Sequence, residues 1–170
     1  MATQVLLVED SRAMRDYVCA ILEAAGEFVV HEATNGFEAL RTLPRETFGL
    51  IITDINMPDV SGIELTRFVR QSERHRDTPL IVISTDAAKV DQERALAAGA
   101  TAYLPKPFGA EALLALVEAT LKERESAQPA ASRPPTGPQP AAGSGPSPGA
   151  NPGDARREGG SRERFERVPV

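Results

Sequence analysis

The sequence predicts a three-layer α/β domain, a five-stranded parallel sheet with helices on both faces. Three observations predict it. Short apolar runs alternate with helical patterns up to residue 125. The clearest runs, Val5-Leu6-Leu7-Val8 and Gly49-Leu50-Ile51-Ile52-Thr53, are continuous rather than alternating, as in strands covered on both faces. The connections are short, which implies βα units with right-handed crossovers.

Taken in order, the first strand spans 4–8 and runs into Glu9-Asp10. A helix over 11–25 follows and stops at Gly26, as a left-handed C-terminal residue commonly makes it do. The second strand falls at 28–32 and the second helix at 36–46. The third strand, 49–53, is rich in β-branched residues, delivers Asp54 and is closed by Pro58. Ser61 and Glu64 are spaced as a capping box for a third helix over 61–74. The fourth strand at 79–84 leads to a helix over 87–98 that stops at Gly99. A fifth strand at 101–104 precedes Lys106-Pro107, and a fifth helix covers 109–125.

This domain, residues 1–126, carries 20 Asp+Glu against 13 Lys+Arg, whereas residues 127–170 carry 4 against 6. An acidic domain without a basic stripe is a poor binder of nucleic acid. Cys19 is alone, so no disulfide framework exists within the chain, which fits a reducing compartment. The start lacks a basic n-region and its apolar run is four residues, so neither a signal peptide nor a membrane span is expected. The expectation is a cytoplasmic protein. Residues 127–160 hold eight prolines and seven glycines but no aromatic, Val, Ile or Leu, which predicts a disordered Pro/Gly/Ala-rich linker. Residues 161–170 recover Phe165, Val168 and Val170 among charges.

The chemistry lies at strand ends. Open α/β sheets place ligands at the carboxyl edge, and the order 2-1-3-4-5, usual for a doubly wound flavodoxin-like domain, makes strands one and three neighbours. Glu9, Asp10 and Asp54 then converge, and three carboxylates so close repel unless protonated or bound to a cation. A hard oxygen cluster with open positions suits Mg²⁺, which keeps waters and seeks phosphate oxygens. The competing use of such acids is helix capping, by Asp10 for the first helix and by Asp59 or Ser61 for the third. Lys106 would supply the counter-charge a phosphoryl group needs.

The segments Val8-Glu9-Asp10-Ser11, Thr53-Asp54-Ile55-Asn56-Met57-Pro58, Ser61-Gly62, Ile83-Ser84-Thr85 and Tyr103-Leu104-Pro105-Lys106-Pro107-Phe108 resemble the response-regulator receiver domain of two-component signalling. The order and spacing are the family's, over roughly residues 3 to 124. The resemblance implies a phosphorylation-dependent signalling switch rather than an enzyme acting on other substrates. Asp54 matches the phosphoacceptor, which takes the phosphoryl group of a histidine kinase or phosphotransfer protein as an aspartyl phosphate. Glu9 and Asp10 match the acidic pair that holds Mg²⁺, Asp54 joins them, and the Asn56 backbone carbonyl matches a further ligand. The family often has Asp where this chain has Glu9. Lys106 matches the lysine that pairs with the phosphoryl oxygens, and its bond to Pro107 is cis in relatives. Ser84 matches the switch hydroxyl and Tyr103 the aromatic that follows it inward. Asn56 and Asp86 stand where relatives tune the attack of water. The implied output partner binds the face of the fourth helix, fifth strand and fifth helix, and a homodimer is a further arrangement.

Two other readings compete. An aspartyl-phosphate phosphohydrolase usually has a second Asp two positions after its nucleophile, where this chain has Asn56. A phosphate-independent receiver-like adaptor would be expected to lose an acid or the lysine, and this chain keeps them. Finally, Arg162 to Val170 resembles the opening of a PilZ domain, the cyclic di-guanylate-binding barrel, over about ten residues. It departs from that family's Arg-x-x-x-Arg at Glu163, and a charged tail is the alternative reading.

Overall fold

A computed structural model describes residues 1–85 and 89–127. The expectations for Asp86, for the linker beyond residue 127 and for the PilZ-like segment therefore lie outside the described residues. The elements alternate as β1 (Thr3–Val8), α1 (Arg12–Ala25), β2 (Phe28–Ala33), α2 (Gly36–Thr42), β3 (Leu50–Asp54), α3 (Gly62–Gln71), β4 (Leu80–Ser84), α4 (Lys89–Ala98), β5 (Ala102–Pro105) and α5 (Ala110–Ala127). All strand pairs are parallel, in the order β2-β1-β3-β4-β5. The expected doubly wound α/β class is the one observed.

The continuous apolar runs are explained by two separate cores. Leu6, Val8, Ile51, Leu80 and Val82 face one side with Leu65 and Val69 of α3. Val5, Leu7, Leu50, Ile52, Ile81 and Ile83 face the other with Val18 and Leu22 of α1 and Leu113 and Val117 of α5. Side chains alternate between faces along each strand, yet both faces are dry, so every position must be apolar. All five residues of β3 are buried, Asp54 among them. The sheet thus delivers a carboxylate to its edge with no aqueous side to hide it.

Helix ends follow local chemistry. Gly26 closes α1 at φ 75°, and Gly99 follows α4 at φ 110°, conformations that a Cβ would strain. The capping box of α3 is complete: Ser61 Oγ accepts from Glu64 N–H at 3.2 Å, and Glu64 Oε2 accepts from Ser61 N–H at 2.9 Å. Three expectations need correcting. The second helix stops at Thr42 instead of reaching 46, because Pro44 has no N–H to continue the ladder. The third stops at Gln71 instead of 74: Ser72 turns extended, and His75 is carried inward, fully buried, with Nε2 at 3.0 Å from the carbonyls of Leu43 and Glu46. Caps are also reassigned. Ser11, not Asp10, caps α1, and Asp59 serves α2 rather than α3, accepting from Gly36 and Phe37 N–H beside the N-cap Asn35.

Arg70 joins the bottom of the domain. Its guanidinium donates to the carbonyls of Gly99 and Thr78 at 2.7 Å each, to Arg76 at 3.0 Å and to His75 at 3.3 Å, and to Thr101 Oγ1 at 3.3 Å. One fork therefore ties α3 to the α3–β4 connection and to the turn before β5. Arg70→Ala should lower the stability of the metal-free protein by about 2–4 kcal/mol, since several part-buried carbonyls lose a charged donor together. Arg70→Lys should recover little, because a single ammonium cannot reach carbonyls that diverge. Urea unfolding measures both, and full recovery by lysine would mean that the charge matters and the fork does not.

Candidate functional site

The parallel register brings the acidic residues together. Val8 pairs with Thr53 across β1 and β3, so Glu9 and Asp10, just beyond β1, stand beside Asp54 at the end of β3. One carboxylate oxygen from each of Glu9, Asp10 and Asp54 lies within 4.8 Å of the others. Glu9 is 2% and Asp54 5% exposed, whereas Asp10 is open to solvent. Placing Asp54 there requires close packing behind it. Gly62 N–H donates to the Ile55 carbonyl at 3.0 Å, and a Cβ at Gly62 would overlap the Asp54 carbonyl oxygen. Only glycine lets α3 start so near the strand end.

Lys106 enters from β5, on the far side of β4. Its Nζ lies 2.8 Å from Glu9 Oε2 and 3.5 Å from Asp54 Oδ1, with the side chain 9% exposed. Its peptide bond to Pro107 is cis. Glu9 is held at both oxygens, since Oε1 also accepts from Ser11 N–H at 3.1 Å. The longer side chain at this position thus spans the gap to the lysine. Asp54 is served less well: among the described residues, its Oδ1 is the one buried side-chain oxygen or nitrogen without a hydrogen-bond partner.

Burial is the main cause that raises the Asp54 carboxyl above its ordinary range, opposed by the Lys106 charge and by the Asn56 and Ile55 amides. Burial likewise raises Glu9, against the Lys106 hydrogen bond and Ser11 N–H and with added repulsion from Asp54. Two buried carboxylates beside an exposed third, with one oxygen lacking a hydrogen bond, make a site short of positive charge. A divalent cation among these oxygens would meet that shortfall, and the all-oxygen donor set suits Mg²⁺.

The remaining expected residues take distinct places. Ser84 is fully buried at the end of β4, where its carbonyl accepts from Lys106 N–H at 2.7 Å. Tyr103 is half-buried on β5 and packs against the core cluster on the α3 side. Asn56 is exposed in the loop that follows β3. Asp86 falls outside the described residues. Sequence reasoning missed one participant, Arg15, and assigned another, Asp59, to the wrong helix. Arg15, 12% exposed, donates to the Glu9 carbonyl at 2.9 Å and the Asp10 carbonyl at 3.3 Å and pairs with Glu32 at 3.1 Å. Asp59 pins the β3–α3 loop to the start of α2. The sequence reveals neither role, because each acts across a fold contact.

Comparison with known proteins agrees with this geometry. Residues 5–118 match the family model described as the response regulator receiver domain. A chemotaxis protein CheY homolog of Campylobacter jejuni is 36% identical over 119 residues, 69% of this chain and 92% of that protein. The response regulator protein FleR of Pseudomonas aeruginosa is 41% identical over 118 residues, 69% of this chain but 24% of that longer protein. Among solved structures, chemotaxis response regulator CheY4 of Vibrio cholerae superposes with TM-score 0.67 at 33% identity, covering 71% of this chain and 99% of that one. The receiver domain of sensor histidine kinase PA1611 from Pseudomonas aeruginosa, solved with magnesium coordinated in its active-site cleft, does so with TM-score 0.67 at 30% identity, covering 72% and 99%. The chain, with its acidic cluster at the carboxyl edge of a 2-1-3-4-5 sheet, belongs to the response regulator receiver domain family of two-component signalling.

Proposed function

We propose that this chain is a phosphorylation-driven switch in which Asp54 accepts a phosphoryl group from the phosphohistidine of a sensor histidine kinase or phosphotransfer protein. The family's general role supports this reading, and one observation carries it. Asp54 is buried, has an oxygen without a hydrogen bond, and lies between an acidic pair and the ammonium of Lys106.

In the proposed reaction a carboxylate oxygen of Asp54 attacks phosphorus in line. The P–O bond forms as the P–N bond to the donor imidazole breaks, and the imidazole leaves after taking up a proton. Positioning and charge neutralisation supply most of the acceleration. Mg²⁺ held by Glu9, Asp10, Asp54 and the Asn56 carbonyl would neutralise phosphoryl oxygens. Lys106 exchanges its contact with Glu9 for one with the phosphoryl group. Ser84 moves to hydrogen-bond a phosphoryl oxygen, and Tyr103 follows into the space vacated, altering the α4-β5-α5 face that the output partner reads. Hydrolysis of the acyl phosphate resets the switch, with Asn56 and Asp86 orienting the water. No other substrate is turned over.

Incubation with acetyl phosphate and Mg²⁺ should add one phosphoryl mass to the intact chain, and Asp54→Asn should abolish it. Equal labelling of the Asn variant would overturn the assignment. The coupling has its own test. Phosphate favours the active state only through contacts it makes better there, and such couplings are typically about 1–3 kcal/mol. Ser84→Ala should still be labelled at Asp54 yet show much smaller NMR shift changes around Tyr103. If the alanine variant switches as fully as the parent, the signal leaves the site by another route.

A further inference from the structure

We propose that Arg15 is a positioning residue for the metal site: its guanidinium grips the peptide units behind Glu9 and Asp10 and presets their carboxylates for a divalent cation. This rests on the reading of the acidic cluster as a Mg²⁺ site.

Arg15 differs from its charged neighbours on α1. The side chains of Arg12 and Asp16 are 87% and 64% exposed, while that of Arg15 is 12% exposed. A guanidinium is withdrawn from water only where its donors find acceptors. Here Nε meets Glu32 Oε2 at 3.1 Å, and Nη1 is shared between the Glu9 carbonyl at 2.9 Å and the Asp10 carbonyl at 3.3 Å. None of these acceptors belongs to α1. Glu32 sits on β2, in register with Leu7 of β1, so the guanidinium is anchored to the sheet while it holds the loop.

The consequence for the carboxylates follows from peptide geometry. In a trans peptide unit the C=O and the N–H point in opposite directions. The Asp10 carbonyl faces Arg15, so the Ser11 N–H of the same unit faces the other way, and it donates to Glu9 Oε1 at 3.1 Å. Arg15 and the Glu9 carboxylate thus hold opposite ends of one amide. A charged donor on the carbonyl also polarises that amide and strengthens its N–H as a donor. With Arg15 removed, the unit can turn, Glu9 loses a fixed donor, and Asp10, open to solvent, loses its fixed backbone. Metal binding would then have to order the loop itself, which lowers affinity without touching a ligand.

The test is calorimetric titration of MgCl₂ into the unphosphorylated full chain, with the metal-free melting temperature of each variant measured beside it. Arg15→Gln should weaken Mg²⁺ binding by about tenfold or more, the usual result of losing a residue that orients ligands. Glu32→Gln keeps the carbonyl contacts and should weaken binding about two- to fivefold, as expected for a partly exposed ion pair. If Arg15→Gln fails to fold, Glu32→Gln alone decides. A lowered melting temperature with unchanged Mg²⁺ affinity in the folded variants would reduce Arg15 to a packing role and overturn the inference. Asp10→Ala separates the two readings. If it leaves Mg²⁺ binding of the parent intact, the metal site itself is misplaced and the inference falls with it; if it abolishes binding while Arg15→Gln does not weaken it, only the inference fails.

Discussion

Three carboxylates lie within 4.8 Å of one another and one ammonium contacts only two of them, and the rest of the domain is arranged around that imbalance. Two of the three acids are almost wholly withdrawn from water, so their repulsion is poorly screened. Lys106 offsets part of it. Because its closer contact is with Glu9, Asp54 keeps an oxygen without a hydrogen bond at the position where charge is wanted. A fold gains nothing in stability from such a cluster. Strain of this sort gathers where a ligand completes the site.

Holding mutually repelling groups in place demands stiff supports, and each loop of the site has one. The β1–α1 loop is gripped through its carbonyls by Arg15. The β3–α3 loop is closed by Gly62 against Ile55 and tethered to α2 by Asp59. The Asp59 carboxyl is held below its ordinary range chiefly by the Phe37 amide, against a desolvation that works to raise it. The β5–α5 loop, which presents Lys106, receives the Tyr17 hydroxyl at the Phe108 carbonyl, 3.1 Å away, with the two rings 6.0 Å apart. Helix α1 therefore braces two of the three loops. The two apolar cores beneath keep β1 and β3 from shifting relative to each other, so the supports act on a fixed edge.

Much of this was legible in the chain. Continuous apolar runs marked strands with two dry faces, and the acids and lysine at their ends marked one functional edge. The capping box at Ser61 and the glycines at 26 and 99 bounded helices correctly, because their cause is local. The errors arose where the cause was remote. The third helix ends early as His75 is drawn to carbonyls about 30 residues back in the chain, which no window around residue 72 reveals. Asp59 reads as a cap for the third helix and Arg15 carries no signal, and they become supports only once α2 and β2 stand beside them. Pro44 is the exception: the stop it imposes on the second helix was written in the sequence.

The central claim, that burial leaves Asp54 short of positive charge, is tested most directly by the pH dependence of metal-free stability in the parent and in Asp54→Asn. A carboxyl raised on folding stabilises the native state below its unfolded value, and that contribution is lost as pH rises through the folded value. At neutral pH the Asn variant, whose amide can donate to the neighbouring carboxylates, should be more stable by about 1–2 kcal/mol. The gap should close on acidification below the ordinary carboxylate range, and saturating Mg²⁺ should raise the melting temperature of the parent more than that of the variant. A metal-free parent as stable as Asp54→Asn at neutral pH, with no dependence of the difference on pH, would contradict the account.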